Sequence, residues 1–166
     1  SIPLDSLAPP PDGSIGALLD TLGVDRQDGL GLAAQILQRL REVSAAIALD
    51  NQYTEIVGTE AADEILAGPG NQRVIGLEQD DTLYGNQGAD QILGREGDDL
   101  IFGGRGSDLL FGNEQEDTIL GNRGDDVLFG GQQNDHLYGN TGDDLLSGDR
   151  DDATLNGGQG NDILLG

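Results

Sequence analysis

Aspartate returns at a nine-residue interval along most of this chain. Asp63, Asp81, Asp90, Asp99, Asp108, Asp117, Asp126, Asp135, Asp144 and Asp162 fill ten of twelve equivalent positions between Gly58 and Leu165, and Gln72 and Ala153 hold the other two. A carboxylate can act as an acid, a base, a nucleophile or a metal ligand. Repetition argues against the catalytic uses, because acid–base work needs one tuned pair rather than ten copies. Evenly spaced carboxylates beside glycine-rich turns suit a hard cation: calcium takes roughly six to eight oxygens and accepts backbone carbonyls as readily as carboxylates. Other chemistry is missing from the sequence. There is no cysteine, no HExxH helix and no GxSxG elbow, and the single histidine, His136, falls at an outward strand position where a surface residue is expected. No enzyme is expected, and no small-molecule substrate.

The elements that position these aspartates can be read from the same period. Cut every nine residues from Gly85, the chain runs GNQGADQIL, GREGDDLIF, GGRGSDLLF, GNEQEDTIL, GNRGDDVLF, GGQQNDHLY, GNTGDDLLS. Positions one to six carry turn chemistry, with Gly or Asn where the backbone needs positive φ. Positions seven to nine predict a short strand, whose side chains alternate between two faces. Position eight is apolar in all twelve units: Ile65, Val74, Leu83, Ile92, Ile101, Leu110, Ile119, Leu128, Leu137, Leu146, Leu155 and Leu164. That column predicts the interior. Glu55-Ile56-Val57 takes the strand position of an incomplete preceding unit, and Gly166 opens another.

The unit resembles the RTX calcium-binding nonapeptide repeat, G-G-x-G-x-D-x-U-x with U a large apolar residue. The resemblance implies an all-β solenoid, a right-handed parallel β-roll, with two units per coil and about six 18-residue coils over residues 58–166. It also implies Ca2+ between stacked turns. The ligands would be Asp carboxylates of both turns, carbonyls of positions two and four from one, and carbonyls of positions one and three from the next. In this sequence those are Asn86 and Gly88 with Gly103 and Arg105, then Gly104 and Gly106 with Gly121 and Arg123. Asn122 and Gly124 with Gly139 and Thr141 follow, then Asn140 and Gly142 with Gly157 and Gln159. The physics agrees, because stacked strands lie roughly 4.8 Å apart and a bare Asp column would repel itself.

The two turns of each coil form two rows. The first carries Gln72, Asp90, Asp108, Asp126, Asp144 and Asp162, with Gly at position four throughout. It offers four Asp-to-Asp gaps. The second carries Asp63, Asp81, Asp99, Asp117, Asp135 and Ala153, and its position four reads Ala61, Gln79, Gly97, Gln115, Gln133, Asp151. It also offers four gaps, but Gln in place of Gly leaves its turn conformation open. The nearby Glu60, Glu78, Glu96 and Glu114 either add carboxylates or stay solvated.

Charge supports metal. The formal net charge is −23, with 31 acidic against 8 basic residues. Such a polyanion is a poor partner for nucleic acid or anionic membranes, and no stretch is long and apolar enough to span a bilayer. About eight calcium ions would bring roughly +16, leaving a net charge in the ordinary soluble range.

Residues 1–12 are Pro-rich and predict an extended arm. Residues 13–50 predict a helical segment. A short helix capped by Asp12 or Ser14 should run through Leu22, closed by Gly23, and a second from about Gly29 to Leu49, with Leu30, Ala33, Ile36, Leu37, Leu40, Val43 and Ile47 on one face. Residues 51–166 are assigned to the roll. On the first row's outer face Leu93, Leu109, Phe111, Val127, Phe129, Leu145, Ile163 and Leu165 predict an exposed apolar stripe that the second helix is long enough to cover, in its own chain or a neighbour's. The roll stops in phase with no capping segment and no secretion signal of the kind the resemblance implies, so either a longer chain or a stacked copy should complete it. The expected function is a non-enzymatic, secreted calcium-binding structural protein whose rolls assemble with one another into a filament or surface layer. The alternative is the calcium-dependent folding and secretion module of a type I-secreted toxin or hydrolase without its active domain.

Overall fold

A register of 18 residues governs every strand pairing. In the computed structural model, which describes residues 35, 36, 38–40 and 54–166, the strands alternate between two parallel sheets. One has seven strands: β1 (Thr54–Val57), β3 (Gln72–Glu78), β5 (Gln91–Glu96), β7 (Leu109–Glu114), β9 (Val127–Gly131), β11 (Leu145–Asp149) and β13 (Ile163–Leu165). The other has six: β2 (Glu64–Leu66), β4 (Thr82–Gln87), β6 (Leu100–Arg105), β8 (Thr118–Arg123), β10 (His136–Thr141) and β12 (Thr154–Gln159). Each strand pairs with the next but one, as where Leu109, Leu110 and Phe111 meet Val127, Leu128 and Phe129. The result is a parallel β-solenoid of about six coils, as the repeat implied. Glu55, Ile56 and Val57 do form the expected partial unit, with Ile56 opposite Val74.

The strands are longer than the repeat suggested. Pairing does not stop at position nine but continues through positions one to three of the next unit, as Asn86 and Gln87 opposite Gly104 and Arg105 show. The turn shrinks to positions four to six. The backbone reason is that positive φ is concentrated at positions two and four, so the intervening peptides can still join the ladder. Asn122 (φ 77°) and Gly124 (φ 131°) illustrate the pair of kinks.

The interior is the position-eight column. Val74, Leu83, Ile92, Ile101, Leu110, Ile119, Leu128, Leu137 and Leu146 are fully buried, with Ile56, Ile65 and Leu155 partly so at the ends. Each fully buried aliphatic side chain stabilises the fold by about 2 kcal/mol. Leu164, in the last coil, is 44% exposed.

The outer apolar stripe, expected to need a cover, is largely buried in the fold. Leu93, Phe111, Val127, Phe129, Leu145 and Ile163 are buried in the folded chain, and Leu109 and Leu165 half-buried. Alternation along a strand tells which way a side chain points, not what lies over it. The opposite outer face is more open. Tyr84 and Phe102 stack there at 4.8 Å while remaining half-buried, and His136 is exposed as expected.

Residues 1–42 and 43–166 form two units. In the first, Gln35, Ile36, Gln38, Arg39 and Leu40 are helical, with Ile36 and Leu40 buried and Gln35 and Gln38 exposed, as the predicted stripe requires. The extended arm, the short helix and the rest of the second helix lie outside the described residues.

Candidate metal centre

Position six ends each turn, and its side chain points inward on the same side as position eight. Burial follows. Asp81, Asp90, Asp99, Asp108, Asp117, Asp126, Asp135 and Asp144 are all 2% exposed or less. One oxygen of each carboxylate is accounted for. Oδ1 accepts the backbone N–H of the position-six residue one coil earlier: Gln72 to Asp90 at 2.7 Å, Asp90 to Asp108, Asp108 to Asp126 and Asp126 to Asp144 at 2.8 Å. The second row repeats this, from Asp63 to Asp81 at 2.7 Å through Asp117 to Asp135 at 2.9 Å. Asp162 joins the first row through the N–H of Asp144 at 3.0 Å.

The other oxygen is the informative one. Oδ2 of Asp81, Asp90, Asp99, Asp108, Asp117, Asp126 and Asp135 is buried with no hydrogen-bond donor. Each lies beside the position-one glycine of its own unit. A Cβ built on Gly85 would sit 2.6 Å from Asp90 Oδ2 and 2.5 Å from the carbonyl oxygen of Gly103. One on Gly103 would sit 2.5 Å from Asp108 Oδ2 and 2.8 Å from the carbonyl of Gly121. The same arrangement recurs at Gly139, with Asp144 and the Gly157 carbonyl. Two acceptors share a small buried volume with no donor between them, an arrangement that a cation complements and a hydrogen bond cannot. The sequence carries a matching detail. Ala67 is the one non-glycine at position one, and its unit is one of the two that lack the aspartate, having Gln72 instead.

Electrostatics makes the same demand. Burial pushes the carboxyls of Asp90 up to about 6, Asp99, Asp108 and Asp135 to about 7, and Asp117 to about 9. Asp126 rises to about 8, first through burial and then through the charge of Asp108. The incoming N–H bonds oppose these shifts without cancelling them. Among the described residues no three acidic or histidine side chains converge, so an ion here must draw most of its oxygens from the backbone.

The backbone positions implied by the resemblance fall as follows. The carbonyls of Gly103, Gly121 and Gly157 line the volumes just described, and Gly139 supplies one of the position-one backbones. The carbonyls of Asn86 and Asn140 face Gly104 and Gly158 of the next coil, and that of Asn122 accepts the Thr141 hydroxyl at 3.0 Å. The carbonyls of Gly88, Gly106, Gly124 and Gly142 press on the position-four glycine of the next coil. Those of Arg105, Arg123, Thr141 and Gln159 accept the N–H of Gly88, Gly106, Gly124 and Gly142 at 2.8–3.0 Å, each keeping a second lone pair. The second row adds Gly94 and Gly112, whose carbonyls lie against Gly76 and Gly94 beside Asp81 and Asp99; sequence reasoning did not name them. Glu60, Glu78, Glu96 and Glu114 are exposed.

A second ladder was missed altogether. Position-five side chains accept the N–H of position five one coil later, the opposite polarity to position six: Asn71 to Ala89, Asp125 to Asp143 and Asp143 to Asn161, each at 2.8 Å. Asp80, Asp98 and Asn134 do the same in the second row at 3.0–3.1 Å. The signal was available. Eight of the twelve units have Asp or Asn at position five.

Comparison with curated proteins yields no match, and neither does comparison with solved structures. The sequence profile of the RTX calcium-binding nonapeptide repeat (4 copies) matches seven overlapping stretches, the first at residues 55–83 and the last at 138–166. Buried carboxylate Oδ2 atoms without donors, carbonyls beside them and that unbroken match agree, and the chain belongs to the RTX calcium-binding repeat family.

Proposed function

We propose that this protein is a non-enzymatic structural module of the extracellular space whose coiling is switched on by calcium. The observation that carries the reading is the set of seven buried Oδ2 atoms with no donor, from Asp81 to Asp135. A bound calcium ion would supply the positive charge that each of those oxygens and its neighbouring carbonyl lack. The chain's own part is to bring the oxygens together. The position-one glycines leave room, the N–H bonds to Oδ1 fix each carboxylate's orientation, and the position-eight column excludes water. Sites with few side-chain charges and many carbonyls bind weakly, which suits the millimolar calcium outside cells. Where calcium is scarce the chain remains uncoiled, because binding and folding are one event. About eight ions are expected, one for each of the four Asp-to-Asp gaps in each row. Circular dichroism of the full chain across a calcium titration tests this; a β signal independent of calcium would end it.

Assembly of copies into a filament or layer is the finer reading. The alternative, a folding and secretion module for a toxin or hydrolase domain, needs no assembly. Negative-stain imaging in millimolar calcium separates them, rods supporting the first and single particles the second.

A further inference from the structure

One aspartate of the second row is unlike the others. Asp63 has the same place in the repeat as Asp81 or Asp99, yet its Oδ2 is supplied from within the chain. It accepts the backbone N–H of Thr59 at 2.5 Å and the Thr59 hydroxyl at 3.0 Å. The volume is otherwise the familiar one. A Cβ on Gly58 would sit 2.7 Å from Asp63 Oδ2 and 2.5 Å from the carbonyl of Gly76.

Neither Thr59 at position two nor Ala61 at position four of this unit takes positive φ, and the residue that meets the carboxylate is the one at position two. Asn86, Asn113, Asn122, Asn140, Gly104 and Gly158 hold that position with positive φ in other units. Thr59 does not, and a β-branched residue strongly resists that conformation. Its peptide therefore turns the other way and directs N–H toward the carboxylate. The hydroxyl, three bonds further on, reaches the same oxygen. Rotating the hydroxyl away would free only one of the two donors. Freeing the N–H requires the backbone to enter the left-handed region, at a cost of roughly 1–2 kcal/mol.

We infer that Thr59 closes the first rung of the second row without a cation, so that the gap between Asp63 and Asp81 takes no calcium and the metal-dependent ladder begins at Asp81. This rests on the calcium reading above and changes it in one respect: Asp63 is a structural acceptor, not a ligand. An amide and a hydroxyl take the place of the ion at this first rung of the folded roll.

The test is calcium stoichiometry of the full chain by isothermal titration calorimetry. Asp63→Asn should bind as many ions as the unaltered chain, whereas Asp99→Asn should bind one fewer. Thr59→Gly, which admits positive φ and removes the hydroxyl, should bind one more. Loss of an ion in Asp63→Asn overturns the inference. Should Asp63→Asn fail to fold, Thr59→Gly still decides, and an unchanged count there overturns it equally. An unaltered chain that binds no calcium would instead sink the calcium reading itself, and this inference with it.

Discussion

The two turn rows solve one geometric problem with different residues. Position four takes positive φ in every unit but the first, where Ala61 stands, and the kink helps the chain to double back. In the first row glycine does this at φ 131–140° from Gly88 to Gly160, with each Cα pressed against the carbonyl of the coil before. In the second row Gln79, Gln115 and Gln133 do it at φ 70–80°, the left-handed helical region that a side chain can enter at modest cost. The aspartate ladder that follows is the same in both, with Oδ1 bonded and Oδ2 lacking a donor. What the ladder needs is therefore a left-handed kink at that point, and glycine is one means of making it.

The largest expected effect acts on both rows at once. Chelation of calcium at neutral pH should abolish the β signal of the roll in circular dichroism. A signal lost for one half only, by hydrogen exchange, would show that the rows are filled independently.

Next comes pH in the metal-free chain. Burial on folding raises the pKa values of Asp90, Asp99, Asp108, Asp117, Asp126 and Asp135 from 3.8 to between about 6 and about 9. Stability contributed by these groups is fully present below about pH 4 and is lost as pH rises through those folded values. In chelator, the coil should thus reappear on acidification toward pH 4 and vanish near neutrality. Circular dichroism at both ends checks the sign. With calcium bound the dependence should reverse, since binding needs the carboxylates ionised.

A smaller effect compares the rows directly. Asp126→Asn in the first row and Asp117→Asn in the second should each destabilise the calcium-loaded roll by about 2 kcal/mol in urea unfolding, because each removes a charged ligand from a buried site. A difference between them of more than about 1 kcal/mol would mean that the turn type matters to the metal after all.

The smallest pair of changes exchanges the turn residues. Gly106→Gln places a Cβ against the Gly88 carbonyl unless the turn shifts to the second row's φ, and should destabilise by about 2 kcal/mol. Gln115→Gly only relaxes a left-handed residue and should change stability by less than about 1 kcal/mol, as relief of strain offsets added chain entropy. Thermal unfolding in saturating calcium measures both.

Much of the site could be read directly. The aspartate column and the position-eight column have a fixed period, and a period of nine places every equivalent residue on the same face of successive coils. The Gln72 and Ala153 gaps were visible in the same way. The length of the strands was not, because Asn86 and Arg105 have turn-like neighbours and only the parallel pairing shows that positions one to three belong to the sheet. The position-five ladder was overlooked because an aspartate next to an aspartate reads as one acidic feature. Its opposite bonding direction exists only once the coils stack.

Local spacing, then, determined the coil, its interior, its family and the ion that its chemistry calls for, since each follows from which residue recurs and how often. Stacking decided the rest. How far each strand extends, which way the position-five ladder runs and whether glutamine can stand in for glycine all depend on pairing between residues 18 apart or on a backbone angle. A period says where a side chain recurs, but contacts across coils set what surrounds it.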